Sequence, residues 1–279
     1  MTCAMSARPV APPNDSVEPG TAAPSTVRWV ASRILAFCVV ELEKIRHDRS
    51  ELLTRAIQPA LWLLIFGKTF SSLHPVPTGG LPYLDFLTPG VLAQSTLFVA
   101  VFYGIQVIWE RDAGVLAKLL VTPTPRSAVV AGKGFAAGIR AIVQVVVVVV
   151  LALLLGVQLQ LAPWRIIGAA AAAVVGAAFF ATLSMTIAGL VLSRERLMGI
   201  GQAITMPLFF ASNALYPISA MPVWIRWFSY INPLSYEVDA LRGLLIGTHA
   251  HLWLDAVVLA GALVVGVAVA AAVLPRLVR

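Results

Sequence analysis

Glu110, Arg111, Asp112, Lys118 and Arg126 crowd into the segment Trp109–Arg126 of a chain in which only 12% of residues are charged. Charges of both signs at that density serve ion pairs and hydrogen bonds with a partner in water. Interleaved with them, Leu116, Leu119 and Leu120 recur at helical spacing until Pro123 and Pro125 stop the pattern. The spacing predicts a short amphipathic helix, with an apolar ridge for a partner's groove, charges that set register and Gly114 for a tight bend ahead of it. That is docking chemistry. A merely charged loop is the plain alternative, and composition alone does not choose between the two.

Residues for bond-making chemistry are few. Gly132-Lys133 is followed by Gly134 rather than Ser or Thr, and Ser127 stands where a phosphate-binding loop needs its first glycine. The chain therefore does not bind ATP by that route. His249, His251 and Asp255 lack a further ligand for a metal and read as solvated loop residues. The same stretch lacks the fixed His and acid spacing of a membrane acyltransferase. Glu237, Asp239 and Arg242 are ionisable residues in an apolar region, where burying charge is costly and a function is the default reading. Asp239 and Arg242 stand at i,i+3, so a structural pair and a role in gating both fit. Lys68 and Asp85 flank a loop and are expected to snorkel to an interface. No catalytic residue and no metal ligand set is assigned.

The elements that position these residues are apolar. Hydrophobic residues make up 59% of the 279 and mean hydropathy is +0.88, well above soluble-domain averages. The net charge of +7 comes from basic residues that punctuate apolar runs, the pattern of membrane orientation rather than of nucleic-acid binding. Residues 1–26, rich in Pro, Ala, Ser and Thr, read as a disordered tail without the apolar core of a signal peptide. Cys3 and Cys38 read as reduced thiols on the cytoplasmic side. Residues 27–49 mix apolar and charged positions in the manner of an interfacial amphipathic helix. Six apolar runs follow, at about 54–73, 86–108, 128–155, 164–192, 199–216 and 252–274, each near the ~17–25 residues a membrane-spanning helix needs. Placing both termini in the cytoplasm puts sixteen of the twenty Lys and Arg on that side, which sets an even number of spans.

Residues 217–246 differ. Pro217, Pro222 and Pro233 cut them into Val223–Ile231 and Leu234–Ile246, both too apolar for a free loop and too short to span. Trp224, Trp227, Phe228, Tyr230 and Tyr236 suit the headgroup level. Asn232 is expected as N-cap of the second piece, with Pro233 in its first turn. The expectation is a re-entrant helical hairpin in the outer leaflet between spans 5 and 6. The fold class is all-α integral membrane.

Two blocks carry a family resemblance. Glu110-Arg-Asp-Ala-Gly-Val-Leu-Ala-Lys-Leu-Leu-Val-Thr-Pro-Thr-Pro-Arg126 resembles the coupling segment of ABC-2 type export permeases, roughly E-R-x-x-G-T-L-x-x-L-x-x-T-P. Asn213-Ala-Leu-Tyr-Pro-Ile-Ser-Ala-Met-Pro-Val-Trp224, then Ile231-Asn-Pro-Leu-Ser-Tyr236 and Asp239-Ala-Leu-Arg242, resembles that family's outer re-entrant region. The likeness covers about residues 28–279 and is nearest to the daunorubicin-resistance and nodulation-factor exporter branch. Val115 stands where Thr is frequent, and Asn213 where Gly often follows, which leaves substrate choice open.

The resemblance implies a permease subunit, not itself an enzyme, in a multi-pass arrangement in the cell membrane. It would move a hydrophobic or amphipathic drug, lipid or glycolipid out of the cytoplasm. Its partners would be two cytosolic ATP-binding-cassette subunits and a second permease, identical or paralogous. ATP and Mg would sit in the ATP-binding subunits, with no cofactor on this chain and no nucleic acid. Glu110, Arg111, Gly114, Leu116, Lys118 and Leu119 would contact the ATPase. Pro217, Pro222, Asn232, Pro233, Tyr236, Glu237, Asp239 and Arg242 would shape the outer gate. An integral-membrane enzyme acting on lipid or sugar is the alternative.

Overall fold

The computed structural model describes residues 26–47, 56–73, 78–121 and 124–277. The expected tail, Cys3, Pro123 and the start of the first apolar run lie outside them. Among the described residues every regular element is helical: α1 (Thr26–His47), α2 (Ala56–Phe70), α3 (Tyr83–Asp112), α4 (Val115–Val121), α5 (Arg126–Leu154), α6 (Pro163–Val191), α7 (Arg194–Phe210), α8 (Val223–Ile231), α9 (Pro233–Leu245) and α10 (Leu252–Val273). A π turn over Trp62–Gly67 widens α2, where Trp62 and Phe66 stack at 4.4 Å and Phe66 and Phe70 at 5.9 Å.

Among the described residues four helices are long and apolar enough to cross a membrane: α3, α5, α6, and α10 with the short turn that carries it to Leu277. The other two expected runs make shorter helices. The run 199–216 is helical only as far as Phe210, three residues past Pro207, which lies inside α7. Ser212 then turns its hydroxyl back onto the Phe209 carbonyl at 2.7 Å. Ser212, Asn213 and Ala214 are irregular backbone, but buried against protein. A second boundary also moved. Trp109–Asp112 continue α3, since nothing breaks the helix before Gly114, and Arg126 already belongs to α5. The free-standing short helix is therefore α4 alone.

The bundle is built around α3 and α6. Of α3's most apolar window 78% is buried, against 17% for α10, so α3 is core and α10 is periphery. Helix α6 packs against α3, α5, α9 and α10. Small residues let helices approach within the chain: Gly138 of α5 faces Val174, and Gly168 of α6 faces Leu244. A second apolar cluster of Ile105, Ile108, Leu116, Val129, Leu197 and Leu274 closes the end of the bundle that carries α4.

Helix α9 runs antiparallel to α3, with Glu237 beside Thr96 and Arg242 beside Phe86. Its last carbonyls are held by the loop before α6 and the first turn of α6: Gln160 N–H donates to the Leu245 carbonyl at 2.7 Å, and Arg165 to those of Gly243 and Leu244 at 3.2 and 3.3 Å. The corner between α8 and α9, at Asn232 and Pro233, lies at the depth of Leu208 of α7. Thr96, one turn further on, is ~20 Å along α3 from Tyr83.

Candidate functional site

Gly114 makes the bend that frees α4. Its φ of +71° is a left-handed conformation, and a Cβ there would meet nothing within 4 Å. The need for glycine is thus conformational and not a matter of space. Two bonds close the α3 end, from Ala113 N–H to the Trp109 carbonyl and from Gly114 N–H to the Arg111 carbonyl, each 2.9 Å. Beyond the bend Val115, Ala117 and Lys118 are exposed. Leu116 points the other way and is fully buried in the cluster under α4. Burying a leucine is worth about 1.5–3 kcal/mol, enough to seat a helix of this length on the bundle. Of Leu119 only the backbone is described; its side chain and that of Leu120 lie outside the described residues.

The charges predicted for this segment divide between two jobs. Glu110 pairs inward with Lys133 of α5, with Gln106 donating to its other oxygen at 3.4 Å. Arg111 pairs with Asp112 at 2.8 Å and donates to the Leu192 carbonyl at 3.0 Å. Asp112 also takes Arg194 at 2.5 Å, and the Arg194 guanidinium stacks over Trp109 at 4.5 Å. Asp112 lies past the apolar part of α3, and its hydrogen bonds to Arg111 and Arg194 hold its carboxyl below the usual carboxylate range. These contacts clamp the bend at 112–114 to the turn between α6 and α7. That turn carries the one non-glycine residue with positive φ among those described, Leu192 at 58°. A leucine there stores strain of roughly 1–2 kcal/mol, and Arg111 holds its carbonyl.

At the opposite end the predicted residues form a connected set around α9. Asn232 caps it, accepting from Leu234 N–H at 3.0 Å while donating to the stranded Leu208 carbonyl at 2.6 Å. Pro233 occupies the first turn, where its missing N–H costs nothing. Glu237 is fully buried; Thr96 donates to one of its oxygens at 2.8 Å, and Gly176 of α6 has no Cβ because the carboxyl occupies that space. Asp239 takes Asn213 at 2.5 Å and Arg242 at 3.6 Å. Arg242 donates to the Asn213 carbonyl at 2.8 Å and lies 4.0 Å over the Phe86 ring. Pro217 and Pro222 open the turn at Ile218–Ala220 and α8 respectively. Tyr236 reaches back to the Tyr230 carbonyl at 2.7 Å. On α8, Trp224, Trp227 and Phe228 are about two-thirds exposed, at 68%, 68% and 65%. Trp224 and Phe228 line, with α7, an apolar groove of about 600 Å³.

Sequence reasoning missed Arg194 and the Leu192 carbonyl in the clamp, because the segment 193–197 showed only charge and no partner. Arg165 and Gln160, which hold the end of α9, gave no local signal at all. Among the described residues no group of three His, Cys, Asp or Glu could hold a metal ion.

Residues 33–246 match the family described as ABC-2 type transporter. The ycf38 protein of Cyanophora paradoxa, named as a transport permease, is 29% identical over 204 residues, covering 69% of this chain and 67% of its own. The daunorubicin resistance ABC transporter permease protein DrrB1 of Streptomyces coeruleorubidus is 29% identical over 211 residues, covering 75% and 72%. Nodulation protein J of Rhizobium leguminosarum bv. viciae is 27% identical over 170 residues, covering 60% and 64%.

Proposed function

This chain belongs to the ABC-2 type transporter family, and we propose that it is the transmembrane permease subunit of an ATP-driven exporter. Its relatives are transport permeases, and with its apolar helices it is a multi-pass membrane protein. The observation that carries the finer reading is α4: a short helix seated by Leu116, with Val115, Ala117 and Lys118 left exposed beside a clamped bend. An ATPase domain gripping those exposed residues would move α3 and the α6–α7 turn together. Glu110, Arg111 and Leu116 brace the socket from within, and Gly114 shapes it. Lys118 and the neighbouring exposed positions meet the partner, as would Leu119.

The Lys and Arg bias supports a cytoplasmic α4 and cytoplasmic termini. In that topology α2 and α7 complete six spans, and α8 with α9 forms the re-entrant outer hairpin. The aromatic residues of α8 would then sit at headgroup level, and Glu237, Asp239 and Arg242 would fix α9 as the wall of the exit. Pro217, Pro222, Asn232, Pro233 and Tyr236 would hold the shape of that hairpin. Two ATP-binding-cassette subunits, carrying ATP and Mg, would serve a pair of permeases, identical or paralogous. The names of the relatives and the apolar outer groove support a hydrophobic or amphipathic cargo, a drug, lipid or glycolipid.

Vesicles holding this chain with its ATP-binding subunit test the reading. Leu116→Asp and Gly114→Val are expected to leave membrane insertion intact while ATP hydrolysis proceeds without export. Normal export by both variants would contradict the assignment of α4.

A further inference from the structure

At the end of the bundle away from α4, the polar groups where α9, α10 and the turn 212–214 meet do not balance. The sequence presents Asp255 as one of a set of solvated loop residues, but it turns inward from the first turn of α10. It is 3% exposed, while Leu252, Trp253 and Leu254 beside it are open. Its Oδ2 is buried without a hydrogen-bond partner among the described residues. Asp239 of α9 and His251 lie within its electrostatic reach. Asn213, also 3% exposed, donates its amide N–H to Asp239 at 2.5 Å. A carboxylate only accepts, so that bond fixes which way the amide points. Asn213 Oδ1 is then a second buried acceptor without a partner.

The charge is unbalanced as well. Asp239 and Asp255 bring two negative charges, and Arg242 brings one positive, 3.6 Å from Asp239 and otherwise occupied with the carbonyls of Asn213 and Phe86. Arg242 Nε is an unmet donor, but its charge is already counted. Asp85 takes the Gln158 N–H, and Arg165 holds the carbonyls at the end of α9. Neither acts on Asp239 or Asp255. The cluster is left one charge negative with two buried acceptors open, a costly state inside an apolar bundle until something neutralises it. Open acceptors take only a donor or a cation. One missing positive charge and only two carboxylates suit a monovalent cation better than a divalent metal.

We propose that Asp239, Asp255 and Asn213 form a binding site for a monovalent cation, an alkali ion or a protonated primary amine, which ties α9 to α10 and to the turn 212–214. Asp239, with 42% of its side chain exposed, is the way in. On the proposed topology that entrance faces the outside medium. The site does not depend on the reading of α4, and its test needs neither ATP nor export.

Thermal melting of the full chain in detergent tests it, with choline chloride replaced at equal ionic strength by sodium, potassium or methylammonium chloride. A bound cation raises the melting temperature by about 5–10 °C once it exceeds its dissociation constant about a hundredfold. A gain with sodium or potassium identifies an alkali ion, and a gain with methylammonium alone identifies an amine. Asp255→Asn removes the surplus charge, so it is expected to melt higher than the parent in choline and to lose the gain. A merely structural Asp255 would instead melt lower when replaced. His251→Lys, at an exposed position that leaves the buried atoms untouched, supplies a permanent positive charge and is expected to abolish the gain too. The same gain in Asp255→Asn as in the parent marks a bulk salt effect and overturns the site. So does a parent protein that ignores all three cations yet melts higher on acidification in choline, because a proton then fills the place given to the cation.

Discussion

At Gly114 a single torsion angle decides whether α4 stands clear of the bundle. Because the space around it is empty, substitutions there should rank by their tolerance of positive φ and not by size. Gly114→Asn is expected to retain most ATP-driven export, and Gly114→Val, costing roughly 1–2 kcal/mol more in that conformation, to lose it. Vesicle transport at equal membrane abundance measures the difference, and equal activity of the two would contradict the conformational account. Asn232 carries two bonds with one amide. Asn232→Ala is expected to cost about 0.5–2 kcal/mol as a lost N-cap. The stranded Leu208 carbonyl adds to that. Asn232→Asp, which keeps the acceptor, should fall between, as read from the melting temperature of the detergent-solubilised protein.

At the level of elements, α4 is fastened twice, by Leu116 from below and by the Arg111–Asp112–Arg194 clamp from the side. The clamp is partly exposed, so its value for stability is small, on the order of 0–1 kcal/mol. Asp112→Asn should therefore leave the melting temperature nearly unchanged yet weaken the coupling of ATP hydrolysis to export, and a large drop in stability would count against the role given to it. The helices themselves were readable where each depends on local pattern: apolar runs, and Asn232 with Pro233 at the head of α9. The inward turn of Leu116 was not, since an amphipathic ridge does not say whether it faces a partner or its own bundle. Nor were the partners of Glu110 and Asp112 readable, because Lys133 and Arg194 reach them through folding and not through spacing. The end of α7 was overextended for a related reason: Pro207 inside an apolar run can kink a span or end it, and the capping of the Leu208 carbonyl by a residue on another element decided the matter.

Across the whole molecule burial is graded, from the deep α3 to the exposed α10 and the bare aromatic face of α8. Such a gradient leaves apolar surface for lipid and, on the proposed reading, for a second permease, and concentrates polar contacts at the two ends. Between those ends Glu237 joins α9 to α3 and α6. Glu237→Ala would leave Thr96 without its acceptor and open a cavity beside Gly176, and is expected to destabilise the protein by several kcal/mol. Glu237→Gln, of the same shape, should be far milder by thermal melting. The central claim is that an ATPase engages the end of the bundle carrying α4. A photo-crosslinking residue placed at Lys118 in native membranes tests it most directly, with Trp253 as the control at the other end. The account predicts that position 118 captures an ATP-binding-cassette subunit and position 253 does not. Capture at 253, or none at 118 while the complex is intact, would contradict it.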